Sequence, residues 1–279
     1  MPLKMELHCV TMDPITLPKF TGHVVRAMLL AMVGSVDGSV ARRLHEMGEP
    51  KPYSVTPIHF KASGRTDKGF ILAPGAPCGF SVRFLDDSYM RYVVRYFTEH
   101  GDVEACGGRL RVESVHVSSK SYEELYSEAS EARSFILKFL TPTYFSKWGV
   151  EFHESFPQPV SVFTNLLRLW NEFSPIKFDR KTFRGWVEGS IAVSGYHLRR
   201  DMKPIDVGGG RAVGGFKGWC AYKFFPSEEY EERTHRDFLK LLYTLCRFGE
   251  FSNVGGNRTG GFGVIKFLPE NKNETNRET

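Results

Sequence analysis

Of all the side chains in this sequence, His45 and Lys51 are the pair best suited to act on a substrate. His45 lies in Arg42-Arg43-Leu44-His45-Glu46, off the apolar stripe of Val40, Leu44 and Met47, so its imidazole sits on the polar side of a short helix. Imidazole gains and loses protons near neutrality, which suits general acid or base catalysis. Lys51 follows six residues later, beyond the turn at Gly48 to Pro50, close enough to bring a positive charge to the same place. The same position also suits a surface histidine that meets the negative end of a helix dipole. His23 is the main rival and His197 the next. His8, His59, His100, His116, His153 and His235 read as structural or exposed.

Two glycine-rich segments could hold an anion. In the first, Gly255, Gly256, Gly260, Gly261 and Gly263 fall within nine residues and surround Arg258. Successive N–H groups in such turns can converge on a phosphate, with the arginine adding a full charge. A plain helix-to-strand turn has the same composition. The second segment, His197 to Gly218, mixes six glycines with Arg199, Arg200, Lys203, Arg211 and Lys217, against Asp201 and Asp206. A flexible basic hairpin of this kind suits an RNA backbone, where phosphate neutralisation supplies much of the affinity. Phe262 or Phe216 could stack on bases. No Gly-Lys-Ser/Thr follows either segment, and neither has GxGxxG after a strand, so no nucleotide cofactor is expected. The absence of HxxxH, HExxH and close cysteine pairs leaves no expected metal site.

The elements that must position these residues repeat once. Residues 3 to 11 alternate as a strand, and Val24, Val25, Met28, Leu29 and Met32 form one helical stripe before the short helix from Ser39. Strand patterns at Tyr53 to Phe60 and Gly79 to Phe84, a helix at Asp86 to His100, and a strand at Leu110 to Val117 complete β-α-β-β-α-β. In the second half a strand through Phe135, Leu137 and Phe139 precedes a helix with Val160, Phe163, Leu167 and Trp170 aligned. Strands at Trp186 to His197 and Gly218 to Phe225 follow, then a helix entered by a Thr234-to-Asp237 capping box, then the strand Gly261 to Phe267. The fold expected is α+β, with two tandem ferredoxin-like domains. They would span 1–120 and 130–268, with Ser118 to Ala132 as the boundary and 269–279 as a disordered polar tail.

Composition sets outer limits. The 37 Lys and Arg against 32 Asp and Glu give +5, which permits a polyanionic partner without requiring one. Val24 to Val33 is much shorter than the ~20 apolar residues of a membrane span and carries Arg26, so no membrane partner is expected. Charges in MPLKMELHCV interrupt any signal-peptide core, and five dispersed cysteines do not make a disulfide framework; the cytoplasm is the expected compartment.

The loop entering Gly261-Phe262-Gly263-Val264-Ile265-Lys266-Phe267 resembles the signature of the repeat-associated RNA-binding superfamily, the RAMP proteins. Phe139-Leu140-Thr141-Pro142-Thr143-Tyr144-Phe145 and Val193-Ser194-Gly195-Tyr196-His197 resemble the CRISPR repeat-cleaving endoribonuclease, the sixth Cas family. The similarity spans almost the whole chain and is specific in its C-terminal half.

This resemblance implies paired ferredoxin-like domains and metal-independent cleavage of CRISPR precursor RNA within its repeats. The substrate's 2′-hydroxyl would be the nucleophile and a 2′,3′-cyclic phosphate the product. It further implies catalytic roles for His45 and Lys51, because His45-Glu46-Met47-Gly48-Glu49-Pro50-Lys51 is similar to the family's histidine and lysine segment. Two positions depart from the pattern. Leu30 stands where some members have tyrosine, for which Tyr53 could substitute, and Asn253 stands where the family loop often begins with glycine. Inactive members of the family leave a second reading open, a non-catalytic RNA-binding RAMP subunit of a CRISPR ribonucleoprotein. A protein that binds a small anion and no RNA is a weaker third. Implied partners are CRISPR repeat RNA, other CRISPR-associated proteins of an interference complex, and a second copy of the chain in a homodimer.

Overall fold

The computed structural model describes residues 1–146, 149–204 and 212–269. In the strand Leu3–Thr11 the residues Leu3, Met5, Leu7 and Cys9 alternate into the core. This strand is central to an antiparallel sheet ordered Tyr53–Val55, Pro77–Phe84, Leu3–Thr11, Gly108–Ser119, Asp102–Ala105. The helices α1 (Gly22–Val36), α2 (Gly38–Glu46) and α3 (Met90–Glu99) go with it. Val25, Met28, Leu29, Met32 and Val33 of α1 share one buried cluster with Leu44 of α2, Val93 of α3 and the sheet residues Leu7, Phe80 and Val82.

After α4 (Tyr122–Ser127) the plan recurs. Ile191–Pro204, Ala212–Phe224, Ser134–Thr143 and Ile265–Pro269 form the second antiparallel sheet in that order. It goes with α5 (Pro159–Phe173), α6 (Arg180–Ser190) and α7 (Glu232–Ser252). In each sheet the unit's first strand lies between its third and fourth, with its second beyond the third. That is the ferredoxin-like order, present twice, as the strand and helix pattern led one to expect. A small cluster of Phe20, Tyr144, Val213 and Phe262 sits where the two halves meet.

The structure departs from the sequence reading in several places. Trp186 to Ser190 is the end of α6 and not the start of a strand. Asp179 caps that helix by accepting from the Thr182 N–H at 2.6 Å, and Phe183, Trp186, Val187 and Ser190 follow i, i+3, i+4, i+7 into the core. The aromatic and β-branched composition of this stretch concealed the helical period. Helix α7 begins at Glu232, so Thr234 lies inside it and caps nothing. The reading of 53 to 60 as one strand also fails: it breaks into Tyr53–Val55 and His59–Phe60, with Pro57 between them.

The segment Ser118 to Ala132 contains α4, opened by a capping box. Ser121 Oγ accepts from the Glu124 N–H at 3.0 Å, and the Glu124 carboxylate accepts from the Ser121 N–H at 2.6 Å. Pro269 ends the last strand, and the rest of the expected tail lies outside the described residues. Among the described residues no helix is long and apolar enough to cross a membrane.

Helix α2, which carries His45, starts at a single side chain. Asp37 Oδ1 accepts from the N–H groups of Ser39 at 2.9 Å and Val40 at 3.2 Å. Its hydrogen bonds to the Ser39 hydroxyl and these amides hold its carboxyl below the usual carboxylate range. Because the folded-state pKa is depressed, this stabilisation is complete above the ordinary carboxylate pKa and is lost as pH falls through the lowered value. Asp37→Ala is therefore expected to lower the melting temperature at pH 7, and the gap to wild type should narrow on acidification. Equal gaps at neutral and acid pH would refute the cap.

Candidate active site

His45 is exposed in the last turn of α2, where the final carbonyls lack intrahelical partners. The chain turns at Gly48 to Pro50 and brings Lys51 back beneath that end. Lys51 Nζ donates to the carbonyls of Leu44 at 3.0 Å and His45 at 2.5 Å. The six-residue spacing therefore does place the ammonium beside the histidine, where it also meets the negative end of the helix. Partial burial lowers the Lys51 pKa, opposed by Glu49 and reinforced by the nearby charge of Arg26. Arg26 of α1, which reads from sequence only as an interruption of an apolar run, is thus part of this neighbourhood.

Neither tyrosine position supplies a catalytic phenol. Leu30 is a half-buried apolar residue of α1, and Tyr53 is fully buried, its pKa pushed up to about 12 chiefly by burial. His23 is buried on α1. His197 is exposed and lies opposite Trp219 in the second sheet.

The glycine loop lies next to this segment but does not open an anion cradle. Gly255 N–H donates to Asn165 Oδ1 at 2.9 Å and Gly256 N–H to the Tyr144 carbonyl at 2.9 Å. The N–H groups of Gly260, Gly261 and Gly263 donate to the carbonyls of Asn257, Arg258 and Pro142 at 2.9, 3.2 and 3.0 Å. All five amides are used within the protein, because a loop buried between two halves must satisfy its backbone internally. Arg258 is likewise an interior residue, 1% exposed. Its guanidinium donates to the carbonyls of Ser252 at 2.8 Å and Lys51 at 3.0 Å, and pairs with Glu49 at 3.5 Å. Neither this guanidinium nor these five amides is free to receive a phosphate in the way the glycine-rich pattern suggested, while Gly255 and Gly256 line the neighbouring groove.

The second basic segment is mostly a paired ribbon and not a loop: Arg199 faces Lys217, Arg200 faces Phe216, and Lys203 faces Val213. Arg199 and Arg200 are exposed, whereas Lys203 pairs with Asp201 at 2.9 Å. Arg211 lies outside the described residues. Phe216 and Phe262 are buried and cannot stack on bases; Tyr196, 59% exposed, and Trp219, 37% exposed, are the aromatic rings this sheet presents. The alternation of Trp219 with buried Cys220 and Tyr222 was the available sequence signal for its exposure.

A groove of about 1090 Å³ lies along the C-terminal half, where Arg168, Arg180 and Arg184 line it from α5 and α6 and Gly256 from the loop, and Glu49 reaches it from the turn between His45 and Lys51. Among the described residues no group of three or more His, Cys, Asp or Glu is placed to hold a metal ion.

With this geometry in place, comparison with known proteins is informative. Residues 137–265 match the family model of CRISPR-associated endoribonuclease Cas6. A Mycobacterium tuberculosis CRISPR-associated endoribonuclease Cas6 is 27% identical over 178 residues, covering 60% of this chain and 52% of that protein. The chain thus spans about half the length of this relative. Among solved structures, a Thermus thermophilus Cas6 product complex superposes with TM-score 0.77 at 24% identity, covering 96% of this chain and 99% of the other. A structure titled as a RAMP protein binding different RNA substrates gives TM-score 0.58 at 13% identity, covering 95% and 99%. The family resemblance read from the sequence is thereby shown: the C-terminal half matches the Cas6 family, and nearly the whole chain has the fold of Cas6 and RAMP proteins.

Proposed function

We propose that this protein is an endoribonuclease that binds CRISPR precursor RNA and cuts it within its repeats, in the cytoplasm and without a metal ion. The observation that carries this reading is that Lys51 Nζ docks on the backbone carbonyls of Leu44 and His45 in the last turn of α2, the turn from which the His45 side chain is exposed. The groove lined by Arg168, Arg180 and Arg184 borders this segment through Glu49 and offers the RNA backbone a path to it. Arg199 and Lys217, paired across the ribbon, with Trp219 on the same face for stacking, supply a second surface on the C-terminal sheet.

In the reaction the 2′-oxygen forms a bond to phosphorus as the bond from phosphorus to the 5′-oxygen breaks. The proton of the 2′-hydroxyl leaves to a base, and the departing 5′-oxygen takes one up, giving a 2′,3′-cyclic phosphate and a free 5′-hydroxyl. His45 serves this proton transfer, and the Lys51 ammonium stabilises the charge of the phosphorane. Incubating repeat-containing RNA with the protein in EDTA should yield a single cut with a cyclic phosphate end. Intact RNA that is nevertheless shifted on a gel would favour the second reading, a non-catalytic RAMP subunit. The absence of an accessible tyrosine at position 30 or 53 supports that alternative.

A further inference from the structure

We propose that Arg258 and Asn253 are positioning residues, and that the glycine loop is a clamp between the halves that fixes Lys51 and the His45 end of α2. This rests on the reading of His45 and Lys51 as catalytic.

The strand Tyr53–Val55, which begins two residues after Lys51, pairs among the described residues only with Pro77–Phe84 and forms an edge of the N-terminal sheet. An edge strand presents unpaired backbone groups that must be covered or solvated. Here the C-terminal half covers them. Arg258 Nη2 donates to the Lys51 carbonyl at 3.0 Å, Asn253 Nδ2 donates to the Val55 carbonyl at 3.0 Å, and Ser54 Oγ donates to the Phe251 carbonyl at 3.3 Å. The strand is therefore gripped at both ends and in the middle.

The clamp is itself held rigidly. Asn253 adopts φ +56 and ψ 175 at the end of α7, outside the left-handed helical region that asparagine tolerates and in one that normally takes glycine, so its contacts must hold a strained backbone. Its amide also faces the carbonyls of Phe262 at 3.1 Å and Arg258 at 3.3 Å, and its oxygen accepts from the Arg83 guanidinium of the N-terminal sheet. Where the loop meets the start of α1, a Cβ on Gly22 would fall 2.0 Å from the Gly260 carbonyl oxygen, so the two backbones are in direct contact. Burying two guanidinium groups is unfavourable unless their donors are engaged. Glu49, the carboxylate paired with Arg258 among the described residues, belongs to the catalytic segment and also accepts from the Lys51 N–H at 3.2 Å. Lys51 is thus fixed at its N–H by Glu49 and at its carbonyl by Arg258, and its ammonium rests on the His45 carbonyl. A continuous path of contacts joins the C-terminal loop to the histidine.

The test compares single-turnover cleavage of repeat RNA with the affinity for its uncleavable 2′-deoxy form. Arg258→Met is expected to slow cleavage by about 10²-fold through misplacement of the charged group. Affinity should stay within about a factor of two, because no phosphate contact is removed. In the double variant with Lys51→Met, cleavage should be no slower than in Lys51→Met alone, since Arg258 acts through Lys51. Should Arg258→Met not fold, Glu49→Gln carries the same expectations from a half-exposed position. A folded Arg258→Met or Glu49→Gln that cuts at the wild-type rate would overturn the clamp. So would a parallel loss of affinity with a shallower salt dependence, or losses that multiply in the double variant. Wild-type protein unable to cut the repeat would instead sink the proposed function beneath it.

Discussion

Replacing His45 with alanine is expected to slow single-turnover cleavage by roughly 10²-fold or more, the usual contribution of a positioned general acid or base. Affinity for the 2′-deoxy repeat should change little, because His45 is one exposed side chain at a helix end and is not among the residues that line the groove. A variant that still cuts at the wild-type rate would remove His45 from the mechanism. Lys51 adds a pH signature to the same experiment. Burial lowers its pKa, so its charge is lost at a lower pH than that of an ordinary lysine. Cleavage that uses this charge should decline as pH rises through that value. Lys51→Arg should shift the decline to higher pH, because guanidinium stays protonated. An unchanged alkaline limb would assign the decline to another group.

The second large effect concerns folding. Trp170 of α5 is fully buried, donates from Nε1 to the Ile176 carbonyl at 2.8 Å, and packs edge-on to Tyr122 and Phe248 with ring centroids 5.1 and 5.4 Å away. Tyr122 in turn donates its hydroxyl to the Leu85 carbonyl at 2.9 Å, so this aromatic group reaches from the C-terminal core to the end of the N-terminal sheet. Trp170→Ala leaves a large cavity beneath that contact and is expected to cost about 3–5 kcal/mol. The denaturant midpoint should fall accordingly with a similar slope. A loss below about 1 kcal/mol would mean that the site collapses around the vacancy, and the bridging role given to Tyr122 would be wrong.

Much of the architecture was legible because the period of the apolar residues was clear. Leu3, Met5, Leu7 and Cys9 could only alternate into a sheet, and Val25, Met28, Leu29 and Met32 could only lie along a helix. Helix α6 was missed because Phe183, Trp186 and Val187 favour strands in isolation, while their spacing and the Asp179 cap were the better guide. The pairing of His45 with Lys51 followed from local spacing, since both ends of one helix-turn unit lie within a short stretch of chain.

The roles of Arg258 and Asn253 could not be read in the same way. Each is polar and sits among glycines, which from sequence resembles a solvent-facing anion loop. Only the long-range contacts to Lys51 and Val55 reveal an interior brace. Composition gives the chemistry of a side chain but not whether water or protein surrounds it.

That brace has a consequence for synthesis. During translation the N-terminal sheet and α2 leave the ribosome first, yet the carbonyls of Lys51 and Val55 lack their side-chain donors until Asn253 and Arg258 have emerged. A nascent chain would carry His45 and Lys51 before the residues proposed to set them, so that placement arrives only once residues 253 to 258 have been made and have folded back.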